Sequence, residues 1–193
     1  MSGVNLIHLY EMTNHLAPFI IVSYFVLNSI FNWNPRGIVY LLGLIIVSGI
    51  ATMISKLTED TDIANDAPCN IITLTGDIKN PLSTVPLNMV VYTYSLAYLL
   101  TSTLLYLKSY SDTNIPTSIT GTIILFCILF IIEALKTSKC FSIPQLLIAI
   151  VCGVGWGVGW GYFIFNLASP DLAFYGITSD VCVQNSAVEF VCH

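Results

Sequence analysis

Apolar residues along this chain come in long blocks separated by short polar runs, without the in-out alternation of a soluble fold. Five blocks are long enough to predict helices that cross a bilayer: residues 16–31, 37–55, 86–107, 118–135 and 144–167. At a rise of ~1.5 Å per residue, such segments match a hydrocarbon core about 30 Å thick. The first is the weakest and has a second reading, as a helix lying at the interface. The polar runs predict an acidic loop over 56–85 and a C-terminal tail over 168–193, whose alternation after Thr178 predicts a short strand or hairpin. The expected fold is all-α, a polytopic membrane helical bundle of about five transmembrane helices, forming a single transmembrane domain over 1–193.

Start signals sit where these helices should begin. Pro35 follows Asn34, Pro86 comes just after Ser83 and Thr84, and Ser142-Ile143-Pro144-Gln145 joins a capping-box spacing to a proline in the first turn. The fifth block also contains VCGVGWGVGWGYFIF (151–165), with glycine at every second position from Gly153 to Gly161. As a strand, all five glycines share one face. As a helix, Gly153, Gly157 and Gly161 line one groove, and Gly155 and Gly159 line another nearly opposite.

An isolated strand in lipid leaves its backbone unpaired, so the helix is preferred. Two Gly-xxx-Gly grooves then let neighbouring helices approach closely on both sides. This makes the fifth segment the expected centre of the bundle, with 86–167 its tightest unit. Leucine at 157 should disrupt that packing, whereas alanine at 157 should stay near wild type. The rival reading, an unwound gating helix, has no acid or base between 144 and 167 to serve a substrate path. A nucleotide fingerprint is excluded because the Gly-x-Gly-x-x-Gly spacing fails at Val158.

Composition supports the membrane reading: 55% of the 193 residues are hydrophobic and 9% charged, against roughly 25% charged in a soluble domain. The net charge of -5 argues against nucleic acid as a partner. The first basic residue is Arg36, so the start lacks the positive region of a signal peptide. With five spans, Lys56, Lys79, Lys136 and Lys139 fall on one side, and Arg36 and Lys108 on the other. That bias places the N-terminus in the cytoplasm and the tail on the far side.

Candidate chemistry is sparse. The acids between Glu59 and Asp77 do not follow a calcium-loop pattern and read as a solvated loop. Cys127 and Cys152 lie within spans and read as packing residues. Cys182 and Cys192 share the tail and could pair in an oxidising compartment. His8, His15 and His193 are scattered, and no metal or cofactor site is expected. Glu133 is the only acid inside a span; two residues from the end of its segment, it can snorkel or pair with Lys136 three positions on, with a proton relay as the rival reading. Tyr94, Tyr98, Ser95, Ser102 and Thr103 read as structural, their hydroxyls bonding within or between helices.

The order of parts resembles the membrane-bound type 2 phosphatidic acid phosphatase family, in which a long loop leads into a helix opening Pro-Ser-Gly-His. A later helix of that family opens with His, then Asp-Val four positions on, then glycines spaced by four. Here the loop leads into Val85-Pro86-Leu87-Asn88-Met89, and the later segment opens Phe141-Ser142-Ile143-Pro144-Gln145-Leu146, with Ala149 and Gly153 at small-residue positions. The resemblance covers 37–167 and implies a phosphatase-like scaffold without its chemistry. Met89 and Phe141 replace the histidines, Gln145 replaces the orienting Asp, and the cationic phosphate clamp after Lys56 is missing.

By type alone, the chain also resembles minor membrane proteins beneath the capsids of large icosahedral DNA viruses. The expectation is a non-catalytic membrane structural or assembly protein, in an intracellular or virion internal membrane. Its expected partners are the lipid bilayer and neighbouring membrane or capsid proteins. The alternatives are a lipid-phosphate phosphatase and a small transporter or channel.

Overall fold

The computed structural model describes residues 6–31, 33, 35–58, 76–77, 80–81, 85–110, 117–138, 140–168, 172–173, 183–185 and 189–191. Five helices follow one another: α1 (Leu6–Phe31), α2 (Arg36–Thr58), α3 (Leu87–Tyr110), α4 (Thr117–Thr137) and α5 (Ile143–Phe163). The last runs on into a π-helical turn, Ile164–Ala168. Two small antiparallel pairs complete the described elements, β1 (Gly76–Asp77) with β2 (Asn80–Pro81) and β3 (Val183–Asn185) with β4 (Glu189–Val191). The second pair is the expected tail hairpin. The architecture is an all-α polytopic bundle. Four helices are long and apolar enough to cross a membrane, and α1 adds a shorter apolar stretch, Pro18–Phe31.

Proline and small caps begin these helices as the sequence suggests. Pro35 O accepts from Val39 N at 3.1 Å, and Pro86 O from Met89 N at 3.0 Å. At α5, Gln145 Oε1 accepts from the N–H of the N-cap Ser142 at 3.0 Å, so the side chain of the first turn closes back on the chain entering it. Between α1 and α2, Trp33 adopts a left-handed φ of 49°, ending α1 as glycine more often does.

The bundle is built around α3. Within its most apolar stretch 61% is buried, against 33% in α2, 28% in α5 and 17% in α4. The fifth segment is therefore not the centre; α5 is the most closely packed neighbour of a central α3. Met89, Val90, Tyr94 and Tyr98 of α3 are fully enclosed, together with Phe25 of α1, Tyr40 and Val47 of α2 and Ala149 of α5. Large apolar side chains point outward instead, among them Ile45, Ile131, Val151 and Leu167. This inside-out surface needs an apolar solvent, and the protein is an integral membrane protein.

Candidate functional site

Three sets of residues carry the interior: the glycine seam between α3 and α5, a tyrosine cluster, and a polar group around Glu133. In the seam, Gly153, Gly157 and Gly161 are buried against α3. A Cβ built on Gly153 would run into Thr93 and one on Gly157 into Tyr94 and Ala97, whereas one on Gly161 would make only a tight contact with Thr101 at 3.3 Å. Each step of four on α5 meets a step of four on α3, so the two helices run parallel and their starts share one end of the bundle.

The second groove is different. Gly155 and Gly159 are exposed, and a Cβ on either meets nothing within 4 Å. Of the two expected packing grooves, one is filled by α3 and the other is open, because α4 packs chiefly on α3. Val154 and Val158 share the open side. Beside the seam, Trp156 and Trp160 stack at 6.0 Å, and Trp160 Nε1 donates to Val39 O at 3.1 Å, tying α5 to α2.

Tyr40, Tyr94 and Tyr98 gather where α2 meets α3, with Phe25 of α1 against them. Their ring centroids lie 4.2 Å apart for Phe25–Tyr40, 5.4 Å for Tyr40–Tyr94 and 5.9 Å for Tyr94–Tyr98. Ser95 Oγ donates to Val91 O at 2.6 Å, so the hydrogen between Tyr40 and Ser95 comes from Tyr40, across 2.6 Å. Tyr94 donates to Tyr40 O at 2.9 Å, and Thr93 back to Met89 O at 2.7 Å. These hydroxyls find their partners within the protein, which is how polar side chains are accommodated in lipid.

The third set joins α3 to α4. Glu133 is 3% exposed; its Oε1 accepts from Asn88 Nδ2 at 3.3 Å and from Thr137 Oγ1 at 3.4 Å. The expected pairing with Lys136 is replaced by a contact between helices. Among the described residues, the buried side-chain atoms without a hydrogen-bond partner are Asn88 Oδ1, Ser102 Oγ, Thr103 Oγ1 and Trp156 Nε1.

The positions that would carry phosphatase chemistry do other work. Met89 is fully buried in the first turn of α3, Phe141 is half-buried in the α4–α5 turn, and Gln145 caps α5. Among the described residues no group of three or more His, Cys, Asp and Glu is placed to hold a metal. Cys127 and Cys152 are free thiols. Cys140 is disulfide-bonded, a feature the sequence reading missed because no spacing marked it. Cys182, Cys192, His193, the acids from Glu59 to Asp66 and Lys139 lie outside the described residues.

No family model, curated protein or solved structure matches the chain.

Proposed function

We propose that this is a non-catalytic structural or assembly protein of a membrane, whose loops contact neighbouring membrane or capsid proteins. The observation that carries this reading is the enclosure of α3: from Val85 to Tyr94 every residue is buried, and the partners of α3 are apolar side chains, tyrosines and three glycines, with Glu133 against Asn88 at its start. A helix clasped in this way favours one rigid arrangement over alternating ones. The virion membrane is proposed on likeness of type, and the phosphatase-like ancestry on the order of parts. Both are consistent with a scaffold in which Met89, Phe141 and Gln145 have packing and capping roles.

Two features bear on orientation, and they oppose each other. The basic residues put the start of α1 in the cytoplasm by four against two. The disulfide at Cys140 lies in the α4–α5 turn, at the same end as the starts of α1, α3 and α5. Cystines persist in oxidising compartments, and an excess of two basic residues is a slight bias. We therefore propose that the Cys140 end faces an oxidising compartment and that α5 exits toward the reducing side, opposite to the charge count.

The functional test is reconstitution of the purified protein into vesicles, paired with cross-linking in its native membrane. The structural reading expects no phosphate release from phosphatidic acid above a blank and no ion flux. It also expects a reproducible, stoichiometric set of cross-linked neighbours. Robust hydrolysis or flux, with the protein recovered alone, would overturn it.

A further inference from the structure

We propose that Glu133, Asn88 and Thr137 form a binding site for a monovalent cation between α3 and α4, beyond the structural role inferred above. Glu133 sits in a membrane-spanning helix with 3% of its surface exposed, where an uncompensated carboxylate is costly. Its two hydrogen bonds, at 3.3 and 3.4 Å, both reach Oε1 and are long for charge-assisted bonds, which close to about 2.7–2.9 Å. Neither donor brings a positive charge.

The second observation is independent of the carboxylate. Asn88 is 6% exposed, and the Oδ1 of the amide that donates to Glu133 is buried with no donor of its own. Such an orphan acceptor normally has a partner, here one that the described residues do not supply. Thr137 Oγ1 spends its hydrogen on Glu133 and keeps its lone pairs. The Glu133 carboxylate, the Asn88 amide oxygen and the Thr137 hydroxyl oxygen are all hard oxygen donors, of the kind that take alkali or alkaline-earth ions. A single carboxylate balances one positive charge, whereas a divalent ion would leave a net charge buried. That selects a monovalent ion.

The site has a structural consequence. Helix α4 is the least enclosed of the four spanning helices, and its extensive contact is with α3. A cation held by Asn88 from one helix and by Glu133 and Thr137 from the other would pin α4 at its C-terminal end.

The test is thermal unfolding of the full-length protein in mild detergent, with sodium, potassium or lithium chloride compared against N-methylglucamine chloride at equal ionic strength. One alkali ion should raise the midpoint saturably by about 5 °C, a shift expected of a ligand present well above its dissociation constant. Glu133→Gln keeps a group able to donate to Asn88 Oδ1 and should fold, yet lose the ion-dependent shift. Thr137→Val should keep the shift but require roughly tenfold more salt. Equal midpoints in all four salts, or an equal shift in Glu133→Gln, would overturn the site. A midpoint that follows pH but no alkali ion would overturn it too, leaving the proton as the occupant.

Discussion

Replacing Gly157 by alanine is the smallest perturbation of the α3–α5 seam, and its cost can be worked out from the contacts. The new methyl would lie 2.7 Å from Tyr94 O, 2.9 Å from Ala97 Cβ and 3.2 Å from Tyr98 N. Ordinary contact between carbon and a carbonyl oxygen begins at about 3.3 Å, so the two helices must part by roughly 0.6 Å. Tyr94 O and Tyr98 N are backbone atoms of a helix hemmed in by Tyr40, Phe25 and Phe126, and they cannot rotate away. A gap of ~0.5–1 Å forfeits a quarter to a half of each van der Waals contact along the seam. Overpacking of this kind costs about 1–3 kcal/mol, and the better helix propensity of alanine returns ~1 kcal/mol.

The net loss, about 1–2 kcal/mol, should lower the melting temperature by roughly 2–8 °C in a chain of this size. This reverses the expectation drawn from sequence alone, that alanine at 157 stays near wild type. Leucine at 157 adds three more carbons and should prevent folding. Gly155→Ala and Gly159→Ala meet open space and should match or exceed wild type. Thermal unfolding in mild detergent, followed by the emission of the stacked Trp156 and Trp160, reads all four variants. If Gly157→Ala and Gly159→Ala melt together, the seam is not a close backbone contact and the reasoning fails.

Other expectations follow from single contacts. Tyr94→Phe removes the bond to Tyr40 O and should cost about 1 kcal/mol in the same assay. Gln145→Ala removes the acceptor that closes the first turn of α5 and should cost a further ~1 kcal/mol, read as a lower melting midpoint. Under denaturing conditions, Cys127 and Cys152 should alkylate at once and Cys140 only after reduction, as read by peptide mass mapping. In intact vesicles of known sidedness, an impermeant thiol reagent should reach a thiol freed by reducing the Cys140 disulfide from the oxidising face, and labelling from the cytoplasmic face would restore the charge-based orientation.

The helices were legible from the apolar blocks, and the observed bounds differ mainly by extending into polar ends. Helix α2 runs from Arg36 to Thr58 and α3 to Tyr110, because charged and hydroxylated residues can continue a helix into the interfacial layer. Which helix lies at the centre was harder to see. In lipid both the inside and the outside of a bundle are apolar, so Val90 at the core and Val158 on the surface look alike in sequence. The signal was present in another form. Helix α3 has the lowest mean hydropathy of the four spanning helices, 1.3 against 1.8–2.3, since its hydroxyls and tyrosines need protein partners and draw it inward.

The glycine ladder was legible as helical and as packing, but period alone could not say which groove is filled. That choice rests on Thr93, Ala97 and Thr101, which offer α5 a flat surface on α3. The link from Glu133 to Asn88 crosses between helices, and the disulfide at Cys140 follows no recognisable spacing. Neither leaves a local pattern to read.

The most direct test of a sealed bundle around α3 is magic-angle-spinning NMR of the uniformly labelled protein in bilayers, comparing magnetisation transferred from water with that from lipid chains. The account expects Met89, Tyr94, Ser95 and Tyr98 to receive neither, while Val154 and Val158 on the open side of α5 receive signal from lipid. Water transfer to Tyr94, Ser95 or Tyr98 would reveal an aqueous path through the centre of the bundle and contradict the structural reading.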